Sequence, residues 1–289
     1  MKSHLFPHPS AKAKGFTLLE LMVAMSVTVI LLGMVTFMTG VSMDGYKGSR
    51  DKVLAGRQAK EALDAITNDF EVIDNHDSDM WLYADVEPNL STALGGPAGK
   101  TITNAARLIF STKPIDVDDG VPGKGDRSVV CYRLAYRDQI SDLDPNVNGA
   151  FPSFTLYRHL PRSPVAWEVL GTDFLSNAEY NNSNTFKAEN VIAENIYELT
   201  VTFLVQNSAG VERITIGPQA SQHDEFTIAG NELKVDGAVQ EDGQLVGVEI
   251  SMTVLSERGL VMTQKGGMTR EDIIKDYGIH FTHSVNIPR

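Results

Sequence analysis

The sequence predicts an α+β chain, with one long N-terminal helix followed by a mainly antiparallel β-sheet head. Three observations carry that reading. Phe16–Met43 is a run of 28 residues with a single charged residue, Glu20. No proline occurs between Pro9 and Pro88, so a helix started there has nothing to break it. Beyond residue 106, several segments alternate apolar and polar residues with the period of a half-buried strand.

Composition sets the frame. With 289 residues, 42% hydrophobic and 21% charged, the chain is long and apolar enough for a real core. The formal net charge is −12, and without the lysines before Phe16 (Lys2, Lys12, Lys14) 22 basic residues face 37 acidic ones, a balance of −15. Such a body repels phosphates, so nucleic acid is not expected as a partner. Cys131 is the single cysteine, which excludes an intramolecular disulfide.

The run from Phe16 is the first element. About 20 apolar residues cross a bilayer, so 16–43 is long enough for a transmembrane helix and too long for the apolar part of an ordinary signal peptide. Lysines before it keep the N-terminus cytoplasmic. Glu20 is then the anomaly, because a carboxylate in a span costs on the order of 2.5–3.5 kcal/mol and marks a functional position by default.

From Arg50 the pattern becomes amphipathic. Ala59, Ala62, Leu63, Ile66, Phe70 and Ile73 follow helical spacing and predict one buried stripe. Arg57, Lys60, Glu61, Asp64 and Asp69 fall mostly outside it. The helix is expected to continue through 44–75, and 76–289 to form the head. Candidate strands are 107–112, 128–137, 153–160, 196–206 and 245–255. Val130, Tyr132, Leu134 and Tyr136 are expected on one face, as are Leu199, Val201, Phe203 and Val205, and again Val246, Val248, Ile250, Met252 and Val254. Asn207–Gly210 and Glu257–Gly259 read as turns. Long polar connections are expected at 85–104, 113–127, 138–152 and 171–190, and the tail after Ile273 as a last strand.

The stretch "KGFTLLELMVAMSVTVILL" resembles the class III signal of type IV prepilins and type II secretion pseudopilins. Gly15, Phe16 and Glu20 match the family's leader glycine, new N-terminal phenylalanine and glutamate at the fifth mature position. The resemblance implies a leader at 1–15, cleavage between Gly15 and Phe16 by a prepilin peptidase, and methylation of the new amine. It also implies a pilin-like fold, anchorage in the bacterial inner membrane with a periplasmic head, and other pilins or pseudopilins as partners through the N-terminal helix. Glu20, about 6 Å from the new ammonium along a helix, would pair with that cation on its own or a neighbouring chain and set the register of assembly. Major pilins usually carry a proline inside the span, and this chain lacks it. The order "VCYRL", "LYR", "IYELTVTF", "VEISMTVL" is similar to J-class minor pseudopilins and W-type minor pilins.

Other sites carry less. Asp116, Asp118 and Asp119 before Gly120 have the spacing of calcium ligands, but Asp126 stands where a full loop needs glutamate. A solvated acidic loop is the favoured reading, with calcium as the alternative and no cofactor otherwise expected. His280 and His283 fall on opposite strand faces and lack zinc-type companions. His159 reads as a strand residue near the surface, and Cys131 as a buried small hydrophobe. No nucleophile–base pair or phosphate loop appears. A structural pilin-type subunit is therefore the first reading, not an enzyme. A membrane-anchored adhesin or ligand-binding minor pilin is the alternative, and a membrane-anchored enzyme the third.

Overall fold

The computed structural model describes residues 15–73, 80–86, 105–113, 128–138, 152–161, 180, 185–217 and 221–287. One helix, α1 (Leu18–Glu71), is followed by a mainly antiparallel β head, which is the α+β class read from the sequence. The chain divides into two compact units, Met1–Arg50 and Asp51–Arg289.

In the first unit the described residues are the start of α1 and the three residues before it. Every side chain from Gly15 to Arg50 is exposed, apolar ones included. Leu18–Met43 at 1.5 Å per residue covers about 39 Å, more than the ~30 Å of a hydrocarbon core. This part of α1 is long and apolar enough to cross a membrane. Ser26, Thr28, Thr36 and Thr39 return their hydroxyls to the carbonyls of Met22, Ala24, Leu32 and Val35. These bonds satisfy polar groups that lipid could not.

The second unit opens with the rest of α1. Ala59, Ala62, Leu63, Ile66 and Phe70 are buried as their spacing predicts, and Ala55 and Asp69 join them. The helix stops at Glu71. Ile73, expected as its last core position, is buried instead in a bridge to Thr112.

Among the described residues, twelve strands make two sheets. The larger holds β1 (Trp81–Val86), β2 (Ala106–Thr112), β3 (Ser128–Arg137), β4 (Ser153–His159), β5 (Val191–Glu194), β8 (Glu225–Ala229), β9 (Glu232–Val235) and β10 (Ala238–Val239). Their order is β10-β9-β8-β1-β2-β3-β4-β5. The smaller holds β6 (Ile196–Asn207), β7 (Gly210–Ile216), β11 (Gln244–Leu255) and β12 (Gly278–Asn286), in the order β12-β11-β6-β7.

One core joins α1 of this unit to the inner faces of both sheets. Phe70 stacks on Phe110 of β2 with ring centroids 4.3 Å apart. Phe203 of β6 stacks on Phe226 of β8 at 4.0 Å, and Tyr197 meets Phe154 edge-on at 4.9 Å. Aromatic pairs in these geometries add about 0.5–1.5 kcal/mol to the burial of their rings.

Val130, Tyr132, Leu134 and Tyr136 of β3 face the core together as expected, while Val129 and Cys131 pack with Ile109 and Tyr180 behind the sheet, so β3 is buried on both faces. Three expectations are corrected. In β11 the register shifts between Leu245 and Gly247, so Leu245 replaces Val246 on the core face. Glu257–Gly259 is no simple turn but the first turn of a helix, α2 (Glu257–Lys265), capped by Ser256, whose Oγ accepts from the Gly259 amide. Gly259 is required there, since an added Cβ would lie 2.6 Å from Tyr277 Cβ. The tail begins as a helix, α3 (Arg270–Tyr277), before β12; Thr269 caps it by accepting from the Asp272 amide. The Asn207–Gly210 turn joins β6 to β7 as expected.

Candidate processing and assembly site

Gly15, Phe16 and Thr17 precede the first turn of α1. Thr17 is its N-cap. The Thr17 carbonyl accepts from the Leu21 amide at 3.2 Å, and its Oγ1 accepts from the Glu20 amide at 3.2 Å. Glu20 answers: its Oε2 accepts from the Thr17 amide at 3.0 Å and from the Thr17 hydroxyl at 3.1 Å. This is a capping box, in which two otherwise unpaired amides at the helix start are satisfied reciprocally. The Thr–x–x–Glu spacing in the sequence signals this box, which gives Glu20 a role beside the expected ion pair. Its carboxylate is thus turned back toward the Phe16–Thr17 peptide, one residue beyond the Gly15–Phe16 bond. Phe16 is 86% exposed, and an added Cβ at Gly15 meets nothing within 4 Å.

A second cluster sits inside the Asp51–Arg289 unit. Asp69, expected on the solvent side of α1, is 4% exposed. Arg158 of β4 grips it with both ends of its guanidinium, Nε to Oδ2 and Nη2 to Oδ1, each at 2.8 Å. Tyr132 of β3 donates its hydroxyl to Asp69 Oδ2, and Thr112 of β2 donates to the Asp69 carbonyl at 2.9 Å. Burial, and then the Asp69 charge, push the Tyr132 hydroxyl well above its ordinary pKa. Side chains from three adjacent strands therefore hold this turn of α1 on the sheet. A bidentate pair fixes geometry as well as energy. The arrangement fits a structural clasp.

The remaining candidates resolve simply. The calcium candidates Asp116, Asp118 and Asp119, with Gly120 and Asp126, lie outside the described residues, as do Lys2, Lys12 and Lys14. Among the described residues no group of three or more His, Cys, Asp or Glu could hold a metal. His280 and His283 do take opposite faces of β12, beside Thr253 and Ile250 respectively. His159 is in its strand but buried rather than near the surface, with Nδ1 3.2 Å from Asn190 Nδ2 and its ring edge-on to Tyr180. Cys131 is fully buried.

Residues 10–36 match the prokaryotic N-terminal methylation motif. The match contains Gly15, Phe16, the capping box and the apolar start of α1, and it supports the prepilin and pseudopilin family. No curated protein and no solved structure matches the chain. The motif thus speaks for one segment, and the head is read from its own geometry.

Proposed function

We propose that this chain is a minor pilin or pseudopilin. A prepilin peptidase cuts between Gly15 and Phe16 and methylates the Phe16 amine. The mature chain stays in the bacterial inner membrane by residues 16–43, N-terminus cytoplasmic and head periplasmic. It then enters a type II secretion-like pseudopilus or a type IV pilus beside other pilins. The observation that carries this reading is the methylation motif over residues 10–36, in register with a membrane-capable helix that starts at Leu18.

Glu20 has two duties in this scheme. Before processing it caps α1 through Thr17. After processing its carboxylate neighbours a cation, and in a weakly screened site that attraction fixes one subunit against the next. The likeness of the head strands to J-class and W-type subunits supports a role in initiating or capping assembly.

Co-expression with a prepilin peptidase, followed by N-terminal mass spectrometry, tests the reading. The expected terminus is methylated Phe16. Gly15→Val is expected to abolish the cut while leaving the chain's own fold unchanged, because the space beside Gly15 is open. A terminus at Ser42 or beyond the span would refute the proposal.

A further inference from the structure

β12 forms one edge of the smaller sheet. Sheet edges are usually guarded, because their unpaired amides and carbonyls invite another strand. Among the described residues the other three edges are guarded. β10 has two residues. β5 has four, with a register slip against β4. β7 carries Glu212 and Arg213, and His223 bonds across its end to Thr215 and Gly217. β12 is different: nine residues, "GIHFTHSVN", in unbroken register with β11 and without proline, lysine, arginine or carboxylate.

Two hydrogen bonds show which of its groups face outward. The Ile287 amide donates to the Val246 carbonyl at 3.1 Å, and the Ser256 amide to the Tyr277 carbonyl at 3.0 Å. Bonded and non-bonded pairs alternate along an antiparallel ladder. Between those two bonds the bonded pairs are therefore Val248–Val285, Ile250–His283, Met252–Phe281 and Val254–Ile279. The backbone groups of His280, Thr282, Ser284 and Asn286 point away from β11. The side chains of the same four residues are exposed.

We propose that this edge pairs with β12 of a second copy of the chain, antiparallel across a two-fold axis. The occupant follows from charge and pattern. The strand has no carboxylate, lysine or arginine to repel its own copy or to select a charged partner. A register centred on Thr282 brings all nine residues into pairs. It sets Ile279 against Val285 of the second copy and Phe281 against His283, so the half-buried Ile279 and Phe281 at the core margin are covered. This pairing uses none of the N-terminal motif and stands or falls apart from the pilin reading.

The test uses the full chain in detergent. With Thr282→Cys, the two thiols would face each other in a bonded pair with Cα atoms about 5.5 Å apart, within disulfide reach. Mild oxidation should make the covalent dimer the dominant species. Ser251→Cys, one strand inward on the same face, is the control and should stay monomeric on a reducing-agent-free gel. Thr282→Pro removes an amide that faces away from β11, so the ladder survives while the wild-type dimer is lost in sedimentation. Thr282→Lys keeps the amide and opposes two cations, and should also abolish the dimer with an unchanged circular dichroism spectrum. Crosslinking of Thr282→Cys no greater than that of Ser251→Cys would overturn the proposal. So would a wild-type chain that sediments as a monomer, or a well-folded Thr282→Lys that dimerises like wild type.

Discussion

The two parts of α1 handle apolar residues in opposite ways. In Leu18–Arg50 they surround the helix and none is buried by the chain, Phe37 remaining 73% exposed. In Asp51–Glu71 they keep to one stripe, and Phe70 is fully buried. The charges differ too. Glu20 in the first part is exposed and bonded to its own helix end. Asp69 in the second is buried and bonded to strands far along the chain. One helix thus carries a surface made for an environment outside the chain and a surface made for its own core. Hydrophobicity alone does not distinguish them; its distribution around the axis does.

The contrast is broken most strongly at Asp69. Asp69→Ala breaks the buried bidentate pair with Arg158 and removes the acceptor of the Tyr132 hydroxyl, and is expected to destabilise the head by about 3–5 kcal/mol. Urea denaturation followed by tyrosine fluorescence measures this. A loss below about 1 kcal/mol would show that the clasp is dispensable. Phe70→Ala should cost a similar ~3–5 kcal/mol through the cavity it opens against Phe110. Phe37→Ala, the same change in the other part of the helix, should leave the head's unfolding midpoint where it was. A shift for both would erase the distinction between the two parts.

Tyr132→Phe sharpens the clasp. It removes one donor to Asp69 and keeps the ring, so a loss of about 1.5–3 kcal/mol is expected for a hydrogen bond to a charged group. The same hydroxyl predicts a pH dependence. Burial raises the pKa values of Tyr132, Tyr83, Tyr136 and Tyr197 above the ordinary 10.0. Above pH ~10 the unfolded chain releases protons that the folded head retains. Stability from these groups is therefore complete below pH ~10 and falls as the pH rises beyond it. Thermal unfolding at pH 9 and pH 11 should show the midpoint dropping, and Tyr132→Phe should reduce the drop.

At Glu20 the expected effect on the isolated chain is smallest and the effect on assembly separates two roles. Thr17→Ala removes the cap acceptor and should lower helix stability by ~1 kcal/mol. Glu20→Gln retains the capping geometry and loses the charge, whereas Glu20→Ala loses both. If the charge sets register, both Glu20 variants fail to co-purify with partner pilins from membranes. If capping is what matters, Gln assembles like wild type and Ala does not.

Much of this molecule was readable in advance. The stripe Ala59, Ala62, Leu63, Ile66 and Phe70, the strands β2, β3, β4, β6 and β11 and the exceptional Glu20 all announce themselves through local spacing, because helical and strand periodicities are properties of neighbouring residues. Two further local signals lie in the sequence. Thr17–Glu20 is a capping box, and Asp236–Gly237, both at positive φ, is the turn that closes β9 onto β10. Tertiary structure alone decided the rest. Asp69 is 63 residues from Tyr132 and 89 from Arg158, so nothing near it in the sequence could mark a buried carboxylate as satisfied. The register shift that turns Leu245 inward exists only against β6. His159 is buried because Tyr180 and Asn190 come to lie beside it. Periodicity can say which side of an element is apolar; whether a polar group on either side finds a partner depends on which distant strand the fold brings to it.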